Sequence, residues 1–256
     1  MLDLSHGQKG FTLMELIMVI VIAGILGTMT VSFITKPMEG YIDLTRRAEL
    51  VDSADMAMRQ MARDIRAALP NSIHIPDVTR LEMIHVRGGG RYDELDFSSE
   101  DTDFIVHGGS MPSGSGGRLV IYNLGVAGAD ARSGDAVITP ASTDVAISGS
   151  GMQQSVALNP GHQFAFESPL QRVYLVDQHI GYCCAGNALY RHNYAIGTAM
   201  PACTSGSLVT RHMQSCAFSY DPGTQTRSAL ATLQLVLEQA GERISLLHQV
   251  HVGNLP

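Results

Sequence analysis

The sequence predicts an α+β chain: one long amino-terminal helix, apolar in its first half, whose second half packs on an antiparallel β-sheet domain. Three observations predict it. Residues 16–35 carry no charge at all. Apolar residues then recur at three- and four-residue spacing as far as Leu69. Beyond Pro70 the chain breaks into short β-like runs divided by Gly- and Ser-rich stretches, the last two joined as a hairpin. Charged residues make up 16% of the 256, against about 25% in an ordinary soluble domain. Hydrophobic residues, at 45%, are not in excess, so the missing charge is concentrated in the first run.

That run has the length of a membrane span, because about 20 apolar residues cross roughly 30 Å of hydrocarbon as a helix. A secretory signal peptide would have an apolar core of about 7–15 residues closed by a small-residue cleavage site. Here the run is longer and no Ala-x-Ala follows it. Pro37 and Gly40 predict a bend or local melting. The period then resumes with Leu50, Ala54, Met58, Met61, Ile65 and Leu69 on one stripe, opposite Arg46, Arg47, Asp52, Asp55, Arg59, Arg63 and Arg66. Asp55 and Arg59 stand four apart with the acid first, the favourable order for a helical ion pair. Pro70 ends the helix, which is expected from Thr12 to Leu69 and would be roughly 85 Å long.

Strands are expected at 81–86, 104–107, 119–124, 163–167, 172–176, 188–194 and 215–220. The final hairpin is the clearest: Leu233, Leu235 and Leu237 alternate with Thr232, Gln234, Val236 and Glu238, Gly241-Glu242 turns the chain, and Ile244, Leu246, His248, Val250 and Val252 alternate on the return. Residues 108–117 and 148–151 are expected as loops, and 125–153 offers no clear pattern.

One residue sets the amino-terminal segment apart from a plain anchor. Glu15 lies inside the apolar stretch, where a carboxylate costs on the order of 2.5–3.5 kcal/mol and marks a functional position. The bland reading is an acid near one end that snorkels to the interface. Gly10-Phe11-Thr12-Leu13-Met14-Glu15 resembles the processing signature of type IV prepilins and type II secretion pseudopilins. Met14 stands where Ile, Val or Leu is more usual, a volume-conserving change. The resemblance implies cleavage after Gly10, methylation of the new Phe11 amine, and pairing of Glu15 with the Phe11 ammonium of a neighbouring subunit. That pair removes two isolated charges from an apolar filament core at once.

The resemblance divides the chain into a leader (1–10), a transmembrane and assembly helix (11–35), an amphipathic second half (36–70) and a β-rich periplasmic domain (71–256). It implies a pilin-like fold, a single pass through the bacterial inner membrane, and later residence in a pilus at the cell surface. The implied partners are a prepilin peptidase and methyltransferase, an inner-membrane assembly platform with its ATPase, other major and minor pilins, and the lipid bilayer. Residues 61–70, 166–169, 172–174 and 216–220 resemble the larger minor subunits of the family. Both the minor pilins of the mannose-sensitive haemagglutinin pilus and the J-type pseudopilins of type II secretion are similar there. A bulky domain of about 185 residues suits a low-copy position, since many such domains would crowd a filament surface. A secretion pseudopilin and a tip adhesin are the alternatives, the latter poorly supplied with aromatic residues at 6%.

Cys183, Cys184, Cys203 and Cys216 fall in one third of the chain, which the implied topology puts in an oxidising compartment. A vicinal Cys183–Cys184 bridge would strain the backbone, so each is expected to join one of Cys203 and Cys216, in an order the sequence leaves open. Zinc is disfavoured because no CxxC spacing occurs. Ten histidines offer no ligand spacing, and His248 and His251, three apart in a strand, face opposite sides. Glu94, Asp96, Glu100, Asp101 and Asp103 read as a solvated acidic loop rather than a calcium loop, lacking EF-hand spacing. No Gly-x-Ser-x-Gly, Walker loop or HExxH is present, so neither an enzyme nor a cofactor is expected. A net charge of −7 argues against nucleic acid as a partner.

Overall fold

The structure, a computed structural model, describes residues 10–134, 136–223 and 228–253. The leader expected over residues 1–10 lies outside the described residues except for Gly10. The chain divides into two compact units, one up to Glu49 and one from Leu50 onward.

In the first unit, helix α1 (Leu13–Arg66) begins after Thr12. Every large apolar side chain from Phe11 to Met29 is exposed. The backbone stays helical across residues 37–40, so the expected local melting is not found. Pro37 removes a single backbone hydrogen bond, and a helix already nucleated on both sides propagates across that loss.

In the second unit, the stripe of Leu50, Ala54, Met58, Met61, Ile65 and Leu69 is buried. Its members from Leu50 to Ile65 share a core with residues of two antiparallel sheets. Asp55 and Arg59 form the expected ion pair on the exposed side, at 2.7 Å. The helix ends at Arg66, earlier than Leu69, because the chain leaves it to pair with a strand. Leu69 N–H donates to the Ile84 carbonyl and Val86 N–H to the Ala67 carbonyl (2.8 and 3.1 Å). Asn71, at φ 60°, then turns the chain away.

The larger sheet contains β1 (His74–Asp77), β2 (Arg80–Tyr92), β3 (Asp101–His107), β4 (Gly114–Ser115), β5 (Arg118–Val120), β6 (Asp144–Ser150), β7 (Gln153–His162), β8 (Arg172–Ala185), β9 (Ala188–Tyr194) and β10 (Ser207–Arg211). Its order is β10-β9-β8-β2-β3-β7-β6-β4, with β1 also on β2 and β5 also on β8. The smaller sheet is β11 (Met213–Asp221), β12 (Ala229–Gln239) and β13 (Glu242–Val252), in that order. β12 and β13 pair without a break from Gln239–Glu242 to Ala229–Val252 around a turn in which Ala240 and Gly241 both have positive φ. A second core lies around Tyr92, Phe104, Val106, Val156, Phe164 and Val173.

Some strand and loop expectations need correction. Residues 163–167 are irregular: Phe164 is buried, but Ala165 N–H donates to the Ala136 carbonyl of a loop instead of joining a ladder. The strand expected at 119–124 stops at Val120, since Tyr122 adopts φ 57°. Residues 148–151 do not form a free loop but close the β6–β7 hairpin, with Ser148 to Ser150 still paired. Asp101 and Asp103 likewise lie in β3, so the acidic run is part loop and part strand.

Candidate processing and assembly site

The candidate site is built by the start of α1. Thr12 stands immediately before the first helical residue. Its hydroxyl oxygen accepts from Glu15 N–H at 3.3 Å, and its carbonyl accepts from Glu15 and Leu16 N–H at 3.1 and 3.2 Å. Thr12 is therefore the helix N-cap, satisfying donors that a helix start otherwise leaves bare. Gly10 and Phe11 precede the cap, outside the helix. Phe11 is 76% exposed, and among the described residues nothing lies within 4 Å of a Cβ placed on Gly10, so they leave the bond between the two sterically accessible. Glu15 sits in the first turn, where the helix dipole favours a negative charge. Its neighbours one turn away, Phe11, Met18 and Val19, are apolar and exposed.

Behind the cap, Leu13–Thr30 has a mean hydropathy of 2.2 with none of it buried. It is long and apolar enough to cross a membrane. Burying one such Leu, Ile or Val side chain is worth about 1.5–3 kcal/mol, so the segment favours lipid or other apolar helices over water.

The cysteines are joined as Cys183–Cys203 and Cys184–Cys216, with Cα separations of 5.8 and 6.5 Å. Adjacent residues of a strand point to opposite faces, and the two bridges accordingly serve different purposes. Cys184 ties β8 to β11, joining the two sheets, while Cys183 holds the turn at Cys203–Ser205. His192 Nε2 adds a 2.9 Å hydrogen bond to the Cys203 carbonyl.

The acidic residues turn toward their own backbone. The Asp96 carboxylate accepts from the Ser98 and Ser99 hydroxyls and from Ser98 N–H at 2.6–2.8 Å. Those bonds, the hydroxyls first, hold its pKa down to about 2. Asp101 accepts from Asp96 N–H at 2.7 Å. A recess of about 510 Å³ opens beside them, with Glu94 and Glu167 in its wall. Among the described residues no group of three His, Cys, Asp or Glu side chains is arranged to hold a metal ion. His248 and His251 both lie on β13, the first half-buried and the second exposed.

Two polar constellations were missed by sequence reasoning. Asp64 of α1 accepts from Tyr182 Oη of β8 and Arg191 Nε of β9, at 2.6 and 2.7 Å. Burial and the Asp64 hydrogen bond push the Tyr182 phenol well above its ordinary pKa. Burial opposes the Arg191 charge, but Asp64 outweighs it and the guanidinium pKa rises. On the large sheet, His179 is buried with its ring stacked on Tyr194, centroids 5.0 Å apart. Burial lowers its pKa to about 4, and among the described residues Nδ1 has no hydrogen-bond partner. Neither constellation has a sequence signature, because its members lie far apart in the chain. The Thr12 cap did have one, in the Thr-x-x-Glu spacing.

Compared with known proteins, residues 5–31 match the prokaryotic N-terminal methylation motif. No curated protein and no solved structure matches the chain. The methylation motif supports a type IV pilin or pseudopilin family, and together with the apolar helix it indicates membrane anchoring.

Proposed function

We propose that this chain is a minor pilin, a structural subunit rather than an enzyme. It is cut between Gly10 and Phe11 by a prepilin peptidase, methylated at Phe11, and incorporated at low copy into a type IV pilus, where it primes assembly or sits at the tip. The observation that carries the reading is the start of α1: an accessible Gly10–Phe11 bond, a capped helix beginning two residues later, and Glu15 in the first turn of an unburied apolar helix. The methylation motif over residues 5–31 supports the processing steps. In the bilayer the helix is held by its apolar surface, with the β-rich domain in the periplasm. In the filament the same surface packs on neighbouring pilin helices, and Glu15 takes a neighbour's Phe11 ammonium as its partner. The platform and ATPase of the inner membrane supply the extraction.

Within the family we favour the O-type minor subunit of a mannose-sensitive haemagglutinin pilus, on the resemblance of residues 61–70 and 216–220. Deleting the gene and scoring one culture for surface fibres and for exported enzymes tests this. Loss of fibres with normal export is expected. Normal fibres with enzymes retained in the periplasm would replace the pilus by a secretion pseudopilus.

A further inference from the structure

The scissile bond and the helix cap are neighbours, and the spacing between them has a mechanical meaning. In helix-cap terms Thr12 is the N-cap, Glu15 the third helical residue, and Phe11 and Leu16 the flanking pair that are commonly both apolar. Gly10 and Phe11 are then the first two residues held outside the helix. Apart from Gly10, itself a poor helix former, no residue from Phe11 to Leu16 other than Thr12 resists growth of an apolar helix toward the amino terminus. Phe11, Leu13 and Met14 suit a helix that continues apolar, no proline precedes them, and among the described residues nothing lies within 4 Å of a Cβ placed on Gly10. Glu15 N–H is shared between the Thr12 hydroxyl and the Thr12 carbonyl, at 3.3 and 3.1 Å. With the hydroxyl removed, the donors of a helix start in hydrocarbon, costly to leave under-satisfied, would recruit the carbonyls of Gly10 and Phe11 as further acceptors.

We propose that Thr12 is a positioning residue for processing: its hydroxyl, by capping Glu15 N–H, fixes the helix start at Leu13 and keeps the Gly10–Phe11 peptide extended for the peptidase. This rests on the processing reading above. A peptidase needs the scissile carbonyl free of helical hydrogen bonding and the chain extended through its cleft. Thr12 acts on the substrate chain, through the conformation of the bond two residues away, and not on the reacting atoms. Glu15 has two successive roles in this account: its N–H is capped by Thr12 before the cut, and its carboxylate meets a neighbouring amine afterwards.

The test uses the full chain in lipid vesicles with a purified prepilin peptidase. Cleavage rates are measured for the native chain and for Thr12→Val, Thr12→Ser and Thr12→Asn, and backbone carbon chemical shifts are read at residues 10–13. Thr12→Val preserves shape but cannot accept the hydrogen bond. It is expected to be cleaved about tenfold more slowly, with Gly10 and Phe11 shifting toward helical values. Thr12→Ser and Thr12→Asn, both good caps, are expected to restore cleavage to within about twofold of native. Native-rate cleavage of Thr12→Val overturns the proposal. So does slow cleavage without a helical shift at residues 10–11, which would mean that Thr12 contacts the enzyme instead. Equal slowing by Ser and Val also overturns it. Failure of the native chain to be cut at all sinks the processing reading itself and is separable from these outcomes.

Discussion

Replacing Asp64 tests how the second half of α1 is held on the sheet. Its side chain is 19% exposed and that of Arg191 is 20% exposed, so both charges are largely out of water. Asp64 accepts two charge-assisted hydrogen bonds, from Tyr182 and Arg191, each worth about 1.5–3 kcal/mol. Asp64→Ala leaves the Tyr182 hydroxyl without its acceptor and leaves Arg191 with Asn193, 2.7 Å away, but no counter-charge. Breaking a buried pair on one side costs about 3–5 kcal/mol. The residual exposure of Arg191 puts the expected loss near the lower bound, about 3 kcal/mol, or about 6–12 °C in Tm for a domain of this size. Tyr182→Phe removes one bond and leaves the ion pair, so it should cost about 1.5–3 kcal/mol alone. In the Asp64→Ala background the same change removes a stranded hydroxyl and should cost nothing or stabilise. The chain has no Trp, so urea unfolding of the full chain in detergent can be followed by tyrosine fluorescence and near-ultraviolet circular dichroism. Strict additivity of the two substitutions, or a loss below about 1 kcal/mol for Asp64→Ala, would refute the idea that this network docks the helix.

His179 makes stability pH-dependent. Burial lowers its pKa to about 4 in the fold from the ordinary 6.5, so between those values the unfolded chain binds more protons. Stability is therefore full above about pH 6.5 and falls toward pH 4, by on the order of 3 kcal/mol. The urea midpoint should track that slope, and His179→Phe, which keeps a ring on Tyr194, should flatten it. Burial also lowers the pKa of His74 and His162, which add in the same direction. Serine at both Cys184 and Cys216 opens a bridge across 32 residues and should lower stability by about 4 kcal/mol; the pair Cys183 and Cys203, across 20 residues, should cost about 3 kcal/mol. Non-reducing thermal melts of the two double variants check the order. Glu15→Ala and Glu15→Gln are expected to insert and be cleaved but to enter fibres poorly, because both lack the carboxylate. Immunogold labelling of fibres would show normal incorporation if the charge pair were unimportant.

Much of this was legible in the residues because the relevant signals are local. The Leu50-to-Leu69 stripe has a fixed helical period, and all six of its members are buried. The carboxy-terminal hairpin alternates around Ala240-Gly241 except at Val236, which is buried along with Leu235 and Leu237, and β12 and β13 pair in full register. What was not legible depends on contacts between distant segments. The helix stops at Arg66 because β2 competes for its last residues, and nothing in the sequence near Leu69 reports that. Residues 163–167 look like a strand because Phe164 and Phe166 alternate, yet Phe164 is recruited by the second core without a ladder partner. β6 was unreadable because only Val145 and Ile147 mark its buried face. At the candidate site, Glu15 stood out as a carboxylate inside an apolar run, and Gly10 and Phe11 through the resemblance. The role of Thr12 emerged only when its hydroxyl was found on Glu15 N–H.

Mass spectrometry of the amino-terminal peptide of the protein isolated from its own cell membranes tests the central claim most directly. The account predicts that the chain begins at Phe11 and carries one methyl group on its amine, with Glu15 unmodified in the same peptide. A chain that retains residues 1–10, or one cut beyond residue 35 so that the apolar helix is lost, would contradict it.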